Sequence, residues 1–281
     1  MTQLEAAAQD AELEGLELEL LLEAIQRRYG FDFREYARAS LKRRIWQRVR
    51  AEKLDSVSGL QERVLHDPEA MERLVRELSI TVTSMFRDPG FFCAFREQVV
   101  PLLRTYPFAR IWNPGCSTGE ETYSLAIVLA EAGLSERIRI YATDINEAVV
   151  ERARAGVFPL EKMQEYTQNY IRAGGTRAFS EYYVAAYDGA QFQRSLADSI
   201  VFAQHNLVSD GSFNEFHAIV CRNVLIYFDR ALQEKVHRLF HESLAMFGVL
   251  VLGQKESIRF TRFADRYEEL DAGEKIYRKV A

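Results

Sequence analysis

Cysteine is scarce in this chain of 281 residues, which carries only Cys93, Cys116 and Cys221. The three lie far apart and form no CxxC pair, so the sequence predicts neither a disulfide scaffold nor a zinc or other metal site. Unpaired cysteines are typical of a reducing compartment, and we therefore expect a cytoplasmic protein.

A surplus of positive charge is also missing, since 36 lysines and arginines face 41 acidic residues. The formal net charge of −5 argues against a general nucleic-acid binder, which needs basic residues to neutralise phosphates. No long hydrophobic run is present either. The apolar stretch 247–252 is far too short to cross a bilayer, and the acidic segment 1–23 lacks the basic start of a signal peptide.

The first eighty residues have helical periodicity instead. Apolar residues recur at three- and four-residue spacing between Leu13 and Ile25, which predicts an amphipathic helix. A second helix is predicted over 33–50. We expect an all-helical N-terminal domain over 1–80, joined by a linker at 81–89 to the rest of the chain.

Local signals predict where further helices begin in this region. Ser58 followed by Gln61 resembles a capping box. Asp67-Pro68 and Asp88-Pro89 each place a preferred N-cap residue before a proline, which suits the first helical position. Two more helices are therefore predicted, from 69 to 78 and from 89 to 103.

Strands and helices alternate after residue 107. The predicted order is a strand at 109–112, a glycine-rich turn at 115–119, a helix at 120–132, a strand at 137–142 and a helix at 145–155. This spacing predicts a βαβ unit in a parallel sheet. Further strands are predicted at 199–203, 218–221 and 249–252, with a helix at 230–245 and a terminal hairpin. The tyrosine- and glycine-rich segment at about 158–200 predicts a small inserted β subdomain.

The glycine-rich turn and the residues after it indicate a ligand class. Glycines let the backbone approach a ligand closely, but Glu120 and Glu121 at the helix start would repel a pyrophosphate. S-adenosylmethionine carries an α-amino group and a sulfonium and has no phosphate, so it fits better. Asp144, at the end of the second strand, is suited to accept hydrogen bonds from ribose hydroxyls.

The same turn supports a rival interpretation. Residues 115–119 match G-x-S-x-G, the nucleophile elbow of serine hydrolases, with Ser117 as the nucleophile. That elbow normally follows several strands, whereas this turn follows the first predicted one. A non-catalytic cofactor-binding regulatory module is a third possibility.

Four segments carry a more specific pattern: YARASLKRRI at 36–45, TVTSMFRDP at 81–89, GCSTGEETYS at 115–124 and CRNVLIYFD at 221–229. In this order they resemble the basic helix, linker, cofactor loop and post-strand motif of the chemoreceptor glutamate methyltransferase (CheR) family. The resemblance covers nearly the whole chain. It implies a helical N-terminal bundle and, over 90–281, a class I (Rossmann-like) S-adenosylmethionine-dependent methyltransferase domain with a small antiparallel β insertion. It also implies an enzyme that forms glutamyl methyl esters on methyl-accepting chemotaxis receptors and releases S-adenosylhomocysteine.

The resemblance assigns roles by position. Arg87 and Tyr227 would orient the reacting carboxylate. The implied cofactor-binding residues are Thr81, Thr83, Arg87, Gly115, Glu121, Asp144, Asn206, Leu207, Arg222 and Asn223. A glutamate side chain is already ionised near neutral pH, so no catalytic histidine is expected, and His217 and His237 are expected at the surface.

The chain departs from the family pattern at a few positions. Thr81 stands where asparagine is usual, Thr122 stands where proline is usual, and Asn113-Pro114 replaces a common Ser-Ala. The first departure puts a cofactor contact of Thr81 in doubt. None removes a group that the chemistry needs.

A cluster of basic residues between 27 and 50 suggests how a receptor is recognised. The candidate contacts to a glutamate-bearing receptor helix are Arg38, Lys42, Arg43, Arg44 and Arg48, although a solvated helix face remains open. In part of the family the β insertion binds a receptor C-terminal peptide as an extra strand. The insertion here looks longer, so we expect it to cover or distort that edge and to make a tethering peptide unnecessary, with a loop that projects away and leaves the edge open as the alternative. A monomer is expected.

Overall fold

The computed structural model describes residues 3–78, 83–187 and 189–281, with side chains from residue 11 onward. Contacts divide the chain into two compact units. One comprises Met1–Ile80 with Tyr227–Gln233, and the other comprises Thr81–Ile226 with Glu234–Ala281. The described part of the expected linker, 83–89, therefore groups with the second unit.

The first unit is helical in the part that the structure describes. Its helices are α1 Gln3–Tyr29, α2 Arg38–Ala51, α3 Val57–His66 and α4 Pro68–Leu78. Each buries an apolar stripe at helical spacing, as α2 does with Leu41, Ile45 and Val49. The predicted helical N-terminal domain is confirmed.

Two local predictions in this unit are wrong. Helix α2 begins at Arg38 and not at residue 33, because the Ala37 N–H donates to the Tyr227 carbonyl at 2.9 Å and Tyr36 bridges to Phe228. The N-cap of α3 is Ser56, whose hydroxyl accepts from Gly59 N at 3.1 Å, whereas Ser58 lies inside the helix.

The cap before α4 is as predicted. The Asp67 carboxylate accepts a hydrogen bond from the Glu69 N–H at 3.0 Å, and Pro68 occupies the first helical position. An acid at a helix N-terminus satisfies an otherwise unpaired backbone donor and interacts favourably with the helix dipole.

The second unit alternates strands and helices. Its strands are β1 Ala109–Pro114, β2 Ile138–Asp144, β3 Val157–Pro159, β4 Tyr183–Ala186, β5 Gly189–Phe192, β6 Ile200–Gln204, β7 Phe216–Cys221, β8 Leu244–Leu252, β9 Tyr267–Asp271 and β10 Ile276–Lys279. Its helices are α5 Pro89–Ala94, α6 Val100–Arg104, α7 Glu120–Glu131, α8 Glu147–Ala155, α9 Met163–Arg172 and α10 Arg194–Ala197, followed by α11 Arg230–Ser243, whose first turn groups with the first unit. A π-helical turn, Phe95–Val99, joins α5 to α6.

The main sheet has seven strands in the order β6-β2-β1-β7-β8-β10-β9. The first five are parallel, and β10 runs antiparallel to both of its neighbours. From β1 the chain proceeds outward through β2 to β6 and then returns to β7 on the other side of β1. In open sheets of this kind, ligands bind beyond the carboxyl ends of the strands where the order reverses.

The inserted sheet is confirmed as three antiparallel strands in the order β3-β5-β4. A buried carboxylate on α7 anchors this region. Glu131 accepts hydrogen bonds from the hydroxyls of Tyr170 and Tyr182, from Thr176, and from the guanidinium of Arg96. Buried polar groups that are fully paired in this way specify one arrangement of the segments they join.

The expectation that the insertion covers its own edge is wrong. Among the residues that the structure describes, strand β4 pairs only with β5 and forms an edge of the three-stranded sheet. The Val184 side chain on it is 67% exposed, and Ala185 and Ala186 are exposed as well. Residues 173–182 form a tight turn and a 3₁₀ turn before β4, and their contacts run to α7 through Glu131.

His237 is not at the surface as expected, because it faces the core side of α11. Only 2% of it is exposed, and burial lowers its pKa to about 4. His217 is half-buried, and its Nδ1 accepts from the Arg110 N–H at 3.0 Å. Among the described helices, none is long and apolar enough to span a membrane.

Candidate functional site

The glycine-rich turn after β1 is held in a conformation that needs glycine. Gly115 and Gly119 have φ of 70° and 97°. A Cβ on Gly115 would lie 2.3 Å from Cγ2 of Val224, so any larger residue would displace the loop after β7. The turn is tied to β2 by the Cys116 N–H, which donates to the Thr143 carbonyl at 3.0 Å.

Asp144 lies at the carboxyl end of β2 beside this turn. Its Oδ2 accepts from the Ser117 N–H and its Oδ1 from the Asn146 N–H, both at 3.0 Å. Burial raises the pKa of Asp144, while these backbone amides oppose the shift. The amides fix the carboxylate and leave further lone pairs on both oxygens for ligand hydroxyls.

Arg222, which follows β7, is the centre of an ion network. Its side chain is 1% exposed and lies 2.7 Å from both the Asp88 and the Glu121 carboxylates. Its guanidinium also stacks over Phe91 at 4.1 Å from the ring centroid. Two carboxylates thus share one guanidinium, which leaves a local excess of negative charge that favours a cationic ligand.

Glu121 is oriented from a second direction. Nδ2 of Asn113, on β1, donates to Oε1 of Glu121 at 3.0 Å and to the Val220 carbonyl at 2.9 Å. Oδ1 of Asn113 accepts from the Thr122 hydroxyl at 2.6 Å. In the sequence, Asn113 and Thr122 stand out only as departures from the pattern of the family that the chain resembles. Their spacing did not indicate a hydrogen bond between them.

The segment before α5 carries backbone strain on both sides of Arg87. Its neighbours Phe86 and Asp88 have φ of 52° and 55°, a left-handed conformation that is uncommon for side chains of their size. The Arg87 carbonyl accepts from Arg222 at 3.4 Å, and Phe86 N–H donates to the Ser124 hydroxyl at 2.9 Å. These bonds hold the backbone of the half-buried residue Arg87 next to the Arg222 side chain. Thr83 is also half-buried, and Thr81 lies outside the described residues.

The prediction that Asp88 caps α5 with its side chain is wrong. Its carboxylate makes no cap hydrogen bond and instead pairs with Arg222. The left-handed φ of Asp88 accompanies this different use of its carboxylate. The sequence signal of Asp before Pro fitted a helix start so well that it hid the ion pair.

Asn206 and Leu207 lie just beyond β6, at the same edge of the sheet as Asp144, since Gln204 is paired in register with Asp144. Asn206 Oδ1 accepts from Val208 N–H at 2.9 Å, which closes a tight turn. Leu207 is 9% exposed. The loop thus lies at the edge of the sheet where the resemblance implies a cofactor contact.

Tyr227 groups with the first unit. It ends a 3₁₀ turn, Leu225–Tyr227, and its ring lies 5.4 Å from the guanidinium carbon of Arg44. Arg44 also donates to the Leu78 carbonyl at 2.7 Å. The other candidate residues in the described part of the chain, from Thr83 to Asn223, belong to the second unit.

The basic residues of α2 are largely paired within the first unit. Arg38 binds Glu19 at 2.8 Å and Lys42 binds Glu14 at 2.6 Å, both acids being on α1. Arg48 pairs with Glu52 at 3.5 Å. Arg43 is exposed, and within the described parts of the chain it forms no salt bridge. The charge that α2 can offer a partner is therefore smaller than the sequence alone implies.

The serine-hydrolase alternative lacks the contact it needs. The Ser117 hydroxyl is buried and has no hydrogen-bond partner among the described residues, so no histidine activates it. The His205 ring instead approaches the Gly211 carbonyl at 3.2 Å. An unpaired buried hydroxyl beside Asp144 is suited to contact a bound ligand.

Comparison with known families decides the identity of this fold. A family model for the SAM-binding domain of CheR methyltransferases matches residues 81–274, and one for the all-alpha domain of the same proteins matches residues 16–79. The chain belongs to the CheR methyltransferase family. As in the sequence prediction, a helical domain precedes a class I methyltransferase domain, and the cofactor of this CheR domain is S-adenosylmethionine.

Individual CheR relatives align over most of the chain. Cher3 of Pseudomonas putida, described as a proposed methyltransferase, is 52% identical over 94% of this chain and 97% of its own length. The chemotaxis protein methyltransferase of Listeria monocytogenes is 30% identical over 83% of this chain and 87% of its own. That of Escherichia coli is 29% identical over 83% and 81%.

The residues at the strand ends fit the cofactor of the CheR family. Glu121 and Asp144 offer anionic oxygens for an amino group and for hydroxyls, and the Gly115 turn allows close approach of a ligand to the backbone. The unpaired hydroxyl of Ser117 gives a further polar contact. Two acids, Glu120 and Glu121, occupy the first turn of α7, where they would repel a phosphate.

Proposed function

We propose that this protein methylates glutamate side chains of chemoreceptors, using S-adenosylmethionine as the methyl donor. Relatives in Listeria monocytogenes and Escherichia coli that carry the name chemotaxis protein methyltransferase support the chemotaxis role. The observation that carries the proposal is that Nη1 of Arg222 donates to the backbone carbonyl of Arg87 at 3.4 Å, so the backbone of residue 87 lies beside a predicted cofactor residue. A guanidinium carried by this segment is suited to orient an acceptor carboxylate.

The reaction requires that the reacting groups be positioned and does not require proton transfer. Bound S-adenosylmethionine supplies a methyl group on a positively charged sulfur. The acceptor glutamate is ionised near neutral pH, so no base has to remove a proton from it. Within the described residues, no histidine ring hydrogen-bonds to the side chains of Glu121, Asp144 or Arg222, which agrees with this requirement.

The protein's own residues have separable tasks in this proposal. Glu121 and Asp144 bind the amino-acid and ribose ends of the cofactor, and Asn206 and Leu207 line the adenine pocket. Arg87 orients the acceptor carboxylate, and Tyr227 donates a second hydrogen bond to it. Holding the reacting groups at near-attack distance in a site that excludes water accounts for most of the rate gain that we expect.

On the receptor side we propose that α2 contributes to recognition. Among the five candidate cations on α2, Arg43 is best placed to meet a glutamate-bearing helix, because Arg38, Lys42 and Arg48 already pair with acids and Arg44 bonds the Leu78 carbonyl. Exposed charges of this kind affect the association rate more than the final affinity.

That the enzyme acts without a tethering peptide stays a prediction, although the exposed strand β4 counts against it. The open edge of β4 could accept an added strand. Titration of the candidate receptor's C-terminal peptide into the enzyme decides this point. Saturable binding at micromolar concentration would contradict tether independence.

The proposed function is tested with labelled cofactor and membranes that contain the host's receptors. We expect label in receptor bands and its release as methanol by mild base, which is diagnostic of methyl esters. Labelling of Ser117 by a serine-reactive probe would support the hydrolase. Cofactor binding with no transfer to any receptor would support a regulatory module.

A further inference from the structure

Glu256, in the loop that follows β8, is a buried carboxylate with an unusual set of partners. It is 5% exposed. Its Oε2 accepts from the N–H groups of Gly253 at 2.6 Å and Asn223 at 3.1 Å, and its Oε1 from those of Val224 at 2.8 Å and Ile226 at 3.4 Å. Within the described residues it forms no salt bridge. Backbone amides therefore satisfy this charge.

These amides belong to the loop that carries two cofactor residues. Arg222 and Asn223 follow the carboxyl end of β7, and Asn223 has a left-handed φ of 61°. The next residues enter the 3₁₀ turn Leu225–Tyr227, and the Ile226 N–H inside it is one of the donors to Glu256. One carboxylate thus stabilises both the strained residue and the start of the turn.

Two glycines show how closely three loops approach each other around this carboxylate. A Cβ on Gly253 would lie 2.8 Å from Oε2 of Glu256 and 2.9 Å from the Asn223 nitrogen. On the other side of the loop, Val224 fills the space above Gly115, where a Cβ would lie 2.3 Å from it. The position of Val224 therefore depends on Glu256 and in turn borders the cofactor turn.

We propose that Glu256 is a positioning residue of the methyltransferase site: its carboxylate sets the backbone of 222–226, and through it the place of Arg222 and Asn223 and the closure of Val224 on the Gly115 turn. The proposal rests on cofactor binding at this edge and not on the identity of the methyl acceptor. Glu256 acts through its hydrogen bonds to backbone N–H groups of this loop.

Glu256→Gln tests the proposal with little change in volume. In the glutamine variant an NH2 group replaces one acceptor oxygen and would face backbone N–H donors. The substitution also removes the negative charge of the carboxylate. We expect the dissociation constant for S-adenosylhomocysteine, measured by calorimetry, to rise at least tenfold. Hydrogen exchange of the peptide 222–229 should accelerate in the same variant. At saturating cofactor, kcat should recover only in part, because Arg222 is displaced.

Glu131→Gln is the matched control. Glu131 is another buried carboxylate of the second unit that accepts a backbone N–H, from Thr176 at 3.1 Å, but it lies at the far end of α7 and anchors the insertion. The Glu131→Gln substitution should lower the melting temperature without changing the cofactor affinity or the hydrogen exchange of residues 222–229. Gly253→Ala perturbs the same contact while keeping the carboxylate, and it should also weaken cofactor binding.

A merely structural Glu256 would give a different result. Glu256→Gln and Gly253→Ala would then bind cofactor like the wild type well below their melting temperatures, with unchanged exchange in 222–229, and the proposal would be overturned. A different result would contradict the proposed receptor substrate: wild-type protein that binds the cofactor but transfers no methyl group to receptors.

Discussion

The hydroxyl of Thr122 donates a hydrogen bond of 2.6 Å to the side-chain oxygen of Asn113. Each residue departs from the pattern that the family resemblance implies, and the structure shows that the two departures form one contact. The bond leaves the Asn113 amide to donate to Glu121 and to Val220. The pair therefore orients a carboxylate of the cofactor site from inside β1.

Thr122→Val should destabilise the protein. Asn113 is 1% exposed, and its oxygen would lose the donor that satisfies it, at a cost of about 1–3 kcal/mol in the free energy of unfolding. Chemical denaturation measures this loss. Thr105→Val, which removes an exposed hydroxyl bonded to the Leu102 carbonyl, should change stability much less. Equal effects of the two substitutions would contradict a special role for the buried pair.

Asp144→Ala should weaken cofactor binding without unfolding the enzyme. Removal of charge-assisted hydrogen bonds to the ribose, worth about 1.5–3 kcal/mol, corresponds to about a tenfold to hundredfold rise in the dissociation constant. Calorimetry with S-adenosylhomocysteine measures it. Asp265→Ala, at an exposed acid before β9, serves as the control. Unchanged affinity in Asp144→Ala would remove Asp144 from the site.

The free energy of unfolding should depend on pH through His237. Burial lowers its pKa to about 4 in the folded state, so the unfolded chain binds the proton first as the pH falls below about 6.5. The stability present above pH 6.5 is thus lost towards pH 4, by about 3 kcal/mol from this group. In His237→Leu this contribution is absent, so the free energy of unfolding should change less between pH 6.5 and pH 4 than it does in the wild type. Parallel curves for the variant and the wild type would show that His237 does not titrate as described.

Charge reversal on α2 should raise KM for the receptor more at a cation without an acidic partner than at one that already forms an ion pair. Arg43→Glu should raise KM for the receptor more than Arg38→Glu does, because Glu19 already neutralises Arg38 at 2.8 Å. The effect on kcat should be small in both variants. Added salt should reduce the difference, since exposed charges are screened beyond about 10 Å at 0.1 M ionic strength. Equal KM values for the two variants would show that the ion pairs with α1 do not limit recognition.

Much of the fold was predictable, because periodicity and glycine punctuation are local signals. The strands β1, β2, β6 and β7 were predicted within two residues, whereas β8 begins at Leu244 and not at the predicted 249. Gly115, Glu121, Asp144 and Arg222 do meet at one edge of the sheet. Backbone contacts distant in sequence were not predictable. The start of α2 depends on the Tyr227 carbonyl, and the partner of Asp88 is Arg222.

The residues missed by sequence reasoning share one physical feature, which is that they act through backbone groups or through polar partners far along the chain. Glu256 lies 30 to 33 residues after three of the four backbone amides that donate hydrogen bonds to it. Its only sequence signal was an acid shortly after the glycine that ends β8. The exposed edge of β4 was misjudged for a related reason, because insertion length does not show where the added residues go.

Methylation of a purified receptor signalling fragment tests the central claim most directly. After incubation with the enzyme and S-adenosylmethionine, mass spectrometry of the digested fragment should find methyl esters on glutamates, in amounts that fall at least tenfold with Arg87→Ala at saturating cofactor, as expected for loss of at least about 1.4 kcal/mol of transition-state stabilisation. A fragment whose modified glutamates are replaced by alanine should remain unlabelled. Methyl groups on other side chains, or no transfer by an enzyme that binds the cofactor, would contradict the account.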